Sequence, residues 1–275
     1  MDPISSLADA ERVEAGIDEA LARSVLYHAV ASALRPPAAP SADALGPAGQ
    51  EAVREAATLL DARFGSGDAL LPTVEALCDR AAGPADDRLS AHARLFGHSR
   101  GLVCPFETEY GGEGAFRQPH QLADIAGSYL AFGLAPHAGC DERVDHAACE
   151  CEFMDFLARK EAFALASLGT VGEPEPLHEQ LETLQAAARG FLRDHLGHFG
   201  RAFASRLVSE DPGGFHGALG AFLFRFLTRE CRRHELPPGP PSLELRPPAL
   251  DDTPMACGRP EPELIQVQVP RRART

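Results

Sequence analysis

The sequence contains no tryptophan, no asparagine and a single lysine, Lys160. Its positive charge is carried by arginine, and Ala, Gly and Pro abound beside it, a pattern of base-composition bias rather than of chemistry. β-Branched residues are sparse, which removes the usual material of a sheet and favours helix. No apolar run approaches the roughly 20 residues a membrane-spanning helix needs. The start, Met1-Asp2-Pro3-Ile4, lacks the basic residues of a signal peptide, so the chain is expected in the cytoplasm. Bases are in deficit: 26 Lys+Arg stand against 40 Asp+Glu, a formal charge of −14. Such a surface does not attract phosphates, so nucleic acid is not an expected partner. It suits a basic partner such as an Arg-rich peptide, and it serves solubility equally well.

The chain has 275 residues, 44% of them hydrophobic, which is enough for one large domain with a sizeable core. Its seven cysteines (78, 104, 140, 149, 151, 231 and 257) are odd in number, and in a reducing compartment they are expected to be mostly free thiols. Helical periodicity runs from Ala10 to Leu34, with Val13, Ile17 and Leu21 followed by Leu26, Val30 and Leu34. Further helices are predicted over 50–64, 69–82, 86–96, 121–132 and 145–167. A long one is predicted over 177–207, and the clearest of all starts at Phe215. Gly133 is the expected C-cap of the 121–132 helix and Asp145 the expected N-cap of the next. No strand and no internal repeat is evident. The expected fold is all-α, a single domain of about eight to ten helices over 1–236. Ten of the 23 prolines fall in the last 39 residues, so 237–275 is read as an extended or disordered tail draped on the body.

Two irregular stretches interrupt the helices. Residues 97–119 hold Phe106, Glu107, Glu109 and Tyr110 among glycines and prolines, and residues 134–144 lead into Asp145. Long loops with buriable aromatics and acids are more often functional than connecting. If the two adjoin, Glu107, Glu109, Asp141, Glu142 and Asp145 form an acidic rim beside Phe106, Tyr110, Tyr129 and Phe132. Carboxylates pair with guanidinium groups, and rings cover apolar stems, so this rim fits an Arg-bearing apolar peptide. A solvated loop surface with scattered core aromatics fits the spacing as well. The cluster Cys140, His146, Cys149 and Cys151 offers an alternative, a metal- or redox-responsive protein. A Cys-x-Cys pair inside a helix converges poorly on a metal, however, and Cys149 falls on the apolar stripe with Phe153. There is no Gly-rich phosphate loop, no Gly-x-Ser-x-Gly elbow and no His-Glu-x-x-His. Nothing in the motifs argues for an enzyme.

The ordered set Leu26-Tyr27…Pro36-Pro37, Leu95-Phe96-Gly97, Pro105-Phe106-Glu107-Thr108-Glu109-Tyr110-Gly111, Tyr129-x-x-Phe132-Gly133-Leu134, Glu142-Arg143-Val144-Asp145-His146, Glu150-x-Glu152-Phe153-Met154-x-Phe156-Leu157-Ala158 and His195-Leu196-Gly197-x-Phe199 resembles the TorD/DmsD/NarJ family of molybdoenzyme-specific chaperones. Its loop and its Pro254-Met255-x-Cys257-Gly258 tail look most like the subgroup serving DMSO-reductase-type enzymes. The resemblance implies a helical, non-catalytic protein, monomer or dimer. Such a protein holds the apo catalytic subunit of a molybdenum oxidoreductase, through its twin-arginine signal segment, until the cofactor is inserted. It would keep no cofactor of its own beyond transient contact with molybdopterin. A subunit that stays in the mature enzyme is a further option. Client-binding residues implied are Asp145, His146, Glu142, Glu107, Tyr110, Phe106, Tyr129 and Phe132. Two departures stand out: Val144 where the family commonly has Pro, and Phe199 where many members have Trp.

Overall fold

With few β-branched residues and many Ala, Leu and Arg, the backbone satisfies its hydrogen bonds locally, within helices. The computed structural model describes residues 3–37, 44–65, 68–97, 101–111, 117–135, 142–168 and 175–246. Among them are nine α-helices: α1 (Pro3–Ala33), α2 (Pro47–Phe64), α3 (Leu71–Ala81), α4 (Ala85–Phe96), α5 (Gln118–Ala131), α6 (Ala147–Leu168), α7 (Glu175–Asp194), α8 (Leu196–Glu210) and α9 (Phe215–Arg233). A 3-10 turn, Glu107–Glu109, lies between α4 and α5. No strand forms among the described residues; extended pairing is limited to two isolated bridges, Phe106 with His146 and Tyr110 with Leu245. The fold is all-α, as the composition predicts. No helix among the described residues is long and apolar enough to cross a membrane.

Two antiparallel helix pairs organise the core. In the first, α1 runs against α6, so Ser24 Oγ donates to Asp155 Oδ1 at 2.6 Å while, just past the end of α1, Arg35 Nη2 reaches Glu152 Oε2 at 2.9 Å. Buried Arg23 closes on buried Glu161 at 2.7 Å in the same seam. In the second, α8 runs against α9, whose Phe222, Leu223, Phe226 and Leu227 are fully buried. Tyr27 of α1 joins the pairs: its ring lies 4.6 Å from that of Phe226, and its hydroxyl donates to Glu230 at 3.0 Å. Each such ring or leucine taken out of water contributes about 1.5–3 kcal/mol.

Packing corrects three local expectations. Leu21 belongs to the α1 period but is 46% exposed, because Leu26, Val30 and Leu34 on the neighbouring stripe face the core instead. The stretch 177–207 is two helices, broken at His195 (φ −126°, ψ −103°), since the chain turns there to set the imidazole 3.3 Å from Glu107. The N-cap of α6 is His146, not Asp145: Ala148 N–H donates to His146 Nδ1 at 3.0 Å. The Gly133 cap is as expected. Its φ of +72° closes α5 with Gly133 N–H to Leu130 O and Leu134 N–H to Tyr129 O, the paired bonds of a Schellman motif.

The beginning of the proline-rich tail, 237–246, lies extended on the body. Gly111 N–H donates to Glu244 O at 2.8 Å, and Arg246 N–H to Glu109 O at 2.7 Å. Residues 247–275 lie outside the described residues.

Close approach of α8 and α9 depends on Gly220, where an added Cβ would stand 2.5 Å from Ala204 O and 2.8 Å from Leu207 Cβ. Neither neighbour is a flexible side-chain end. Gly220→Ala is expected to cost about 1–3 kcal/mol, the usual range for overpacking, read as a lower urea midpoint with unchanged slope.

Candidate functional site

The two irregular stretches meet. Glu107 N–H donates to Asp145 O at 2.9 Å and Ala147 N–H to Pro105 O at 2.8 Å, so the 3-10 turn lies along the start of α6. Asp145 is wholly buried and sits at the centre of the junction. Its Oδ2 accepts from the Thr108 hydroxyl at 2.7 Å and from Thr108 N–H at 3.2 Å. Arg143 then grips both of its oxygens, Nε to Oδ1 at 3.0 Å and Nη2 to Oδ2 at 2.8 Å. The same guanidinium reaches Glu109 Oε1 at 3.2 Å and stacks 4.3 Å from the centre of the Phe106 ring. The bidentate seat on Asp145 is thus taken by the chain's own arginine.

His146 is buried and its tautomer is defined by its contacts. Nδ1 accepts from the α6 backbone, so Nε2 carries the proton and points to Glu142 Oε1 at 3.3 Å. Burial pushes its pKa below the ordinary value; Glu142 opposes that shift only in part.

Behind the junction lies a buried pair of acids. Glu150 is fully buried, and neither carboxyl oxygen meets a donor N–H or O–H. Burial, and then the neighbouring Glu107, hold its pKa well above the carboxylate range. The charged form of Glu150 is therefore disfavoured in the fold, and Glu107 Oε2 nearby is likewise buried without a partner. The other Glu107 oxygen faces His195 Nδ1 at 3.3 Å, and His195 Nε2 lies 3.7 Å from the exposed Asp124.

A cavity of about 340 Å³ opens beside this junction, between the end of α1, the end of α5 and the outer face of α6. Tyr129, Leu134, Val144, Phe153 and Phe156 form its apolar wall, and Cys149 lies within it. Its size falls within the range of small-molecule and side-chain pockets. The Schellman turn of α5 sets this wall, because it holds Leu134 back against Tyr129. The mouth is polar: Arg35 Nη2 stands 2.9 Å from Glu152 Oε2 and 3.7 Å from Glu142 Oε2. Burial raises the Glu152 pKa, the nearby Arg35 lowers it, and Glu142 raises it again, for a net upward shift. A larger depression, about 740 Å³ along α2, is open surface lined by Glu51, Arg54 and Glu55 without an aromatic wall.

The structure brings Phe106, Glu107, Asp145 and His146 into one junction and places Glu142 and Tyr129 on the cavity. Phe132 packs behind the wall, 5.8 Å from Phe153 and 6.2 Å from Phe156. Tyr110 is separate: it is buried against Phe199 at 5.4 Å, its hydroxyl donating to Cys104 O, so it lines no part of this cavity. Asp141 and Cys140 lie outside the described residues. Cys149, which the apolar stripe placed in the core, is instead half-buried on the cavity, while Cys151 is in the core. Among the described residues no group of three or more His, Cys, Asp and Glu could hold a metal. Sequence reasoning assigned no role to Arg35, Thr108, Arg143, Glu152 or Phe156. The i, i+4 spacing of Glu152 and Phe156 signalled a shared face; nothing local signalled Arg35, which meets Glu152 across 117 residues.

The described residues thus form an all-helical body with an aromatic-walled cavity whose mouth carries Arg35, Glu142 and Glu152. A family model described as nitrate reductase delta subunit matches residues 47–205, more than half of the chain, and the protein belongs to that family. The family is one of molybdoenzyme maturation chaperones. Neither a curated protein nor a solved structure gives a significant match to the chain.

Two outcomes test the junction. Asp145→Asn removes the charge that Thr108 and Arg143 share and is expected to cost about 2–3 kcal/mol in urea unfolding. Glu150 predicts a pH effect. Above its ordinary value of 4.5 the unfolded chain has released this proton while the folded chain keeps it, so folding takes up a proton and stability falls as pH rises toward the folded pKa. Glu150→Gln removes that component, and its stability relative to the parent should climb as pH rises above about 5. Parallel pH profiles would show that Glu150 is ionised in the fold.

Proposed function

We propose that this protein is a cytoplasmic maturation chaperone that holds the apo catalytic subunit of a molybdenum oxidoreductase by its twin-arginine signal segment while the cofactor is inserted. The observation that carries the reading is the cavity itself. Its wall of Tyr129, Phe153 and Phe156 takes an apolar side chain, and its mouth carries Glu142 and Glu152 for guanidinium groups. The overall charge of −14 adds long-range attraction for a basic segment. Asp145 acts at one remove. With Arg143 it braces the segment that presents Glu142 and Val144, and His146 orients Glu142 through Nε2. Phe106 stacks on Arg143 within the same brace, and Glu107 joins it through its N–H to Asp145 O. Service to a DMSO-reductase-type enzyme is the subgroup we favour, on the resemblance of the Phe106–Tyr110 loop. In this reading the chaperone keeps no resident cofactor, and any contact with molybdopterin lasts only while the client is held.

Isothermal titration with a synthetic peptide, two adjacent arginines followed by an apolar stretch, tests the proposal. Glu142→Gln and Phe156→Ala should each weaken binding about tenfold or more, with thermal midpoints close to the parent's. Unchanged affinity in both variants would remove the cavity from client capture.

A further inference from the structure

We propose that Arg35 is a built-in stand-in for the client's arginine, a guanidinium that occupies the acidic mouth of the cavity and is displaced when the client binds. The inference rests on the reading of the cavity as the client site and concerns how that site is kept closed to weaker ligands.

The geometry of Arg35 is that of a replaceable ion pair. It approaches both carboxylates through one nitrogen, Nη2, at 2.9 Å from Glu152 and 3.7 Å from Glu142. Its Nε is buried with no acceptor. Arg143, by contrast, grips Asp145 through two nitrogens, with an acid that is wholly buried. Arg143 is therefore a fixed part of the fold, while Arg35, itself 36% exposed, forms a weaker, end-on contact with Glu152, which is 47% exposed. An incoming guanidinium that takes Glu152 side-on makes two charge-assisted bonds where Arg35 makes one.

Charge counting points the same way. With Arg35 in place, two carboxylates face one guanidinium. With Arg35 withdrawn, Glu142 and Glu152 match a client's paired arginines one to one. Arg35 has room to withdraw, since it lies beyond the end of α1 at Ala33, with its side chain at the surface. Pro36 and Pro37 follow directly and hold its backbone at the cavity mouth. A lone cation or a purely apolar peptide gains too little to displace it, so the contact filters for ligands that bring both features.

The test compares the full-length parent with Arg35→Gln in titrations of two synthetic peptides, one with two adjacent arginines before an apolar stretch and one with glutamines in their place. Arg35→Gln is expected to bind the arginine peptide about three- to fivefold more tightly and the glutamine peptide with unchanged affinity, the gain scaling with a surface ion pair that need not be broken. In the parent, the Arg35 side-chain Nε–H resonance should shift when the arginine peptide is added. A parent that binds the arginine peptide while Arg35→Gln gains nothing, or a bound peptide that leaves the Arg35 resonance unmoved, overturns the stand-in but leaves the client site intact. An equal gain for both peptides overturns it too, making Arg35 a steric plug. Absence of binding to either protein ends both the stand-in and the reading beneath it.

Discussion

Asp145 carries no exposed surface, and a carboxylate so placed must be paired or it will not stay charged. Thr108 supplies two donors and Arg143 two more, and these four bonds tie the Phe106–Glu109 segment to the residues preceding α6. Everything that makes the cavity is registered from that tie. It sets where Val144 and Glu142 stand, where His146 can cap α6, and hence the direction in which Glu152 and Phe156 leave the helix about two and three turns later. The junction behaves as one unit because its main-chain bonds, Glu107 to Asp145 and Ala147 to Pro105, run in parallel with its side-chain bonds.

The acids of this region fall into three environments with three consequences. Asp145 is buried and paired, so it serves the fold. Glu150 is buried without a donor, so burial and the neighbouring Glu107 push its pKa well up and disfavour its charge. Glu142 and Glu152 lie at the surface of the cavity, where water lowers the cost of their charge and leaves them open to exchange one cation for another. In the proposed function it is this last pair that meets the client, since a chaperone must release what it captures.

The site was legible in part, and the pattern of success has a physical cause. Phe106, Glu107, Asp145 and His146 were recognisable as one cluster because each sits in a break of the helical period, where side chains serve purposes other than packing. The role of Asp145 was not legible, because Arg143, only two residues away, fills the seat a client's arginine would need. Tyr110 shares a loop with Glu107, yet the 3-10 turn between them swings its ring into the core against Phe199. Arg35 and Glu152 meet across 117 residues, and no local pattern reports a contact of that span.

For the fold, helix content and most helix positions follow from composition and period, which act within a few residues. Gly133 and the Phe215–Leu227 stripe show this plainly: a left-handed cap and a buried apolar face are local properties of the chain. The break at His195, the exposure of Leu21 and the placing of Cys149 on the cavity have no local signal, because each depends on which partner helix covers which face. The cavity belongs to the same class. It exists where α1, α5 and α6 fail to close on one another, and a gap between three elements is written in none of them singly.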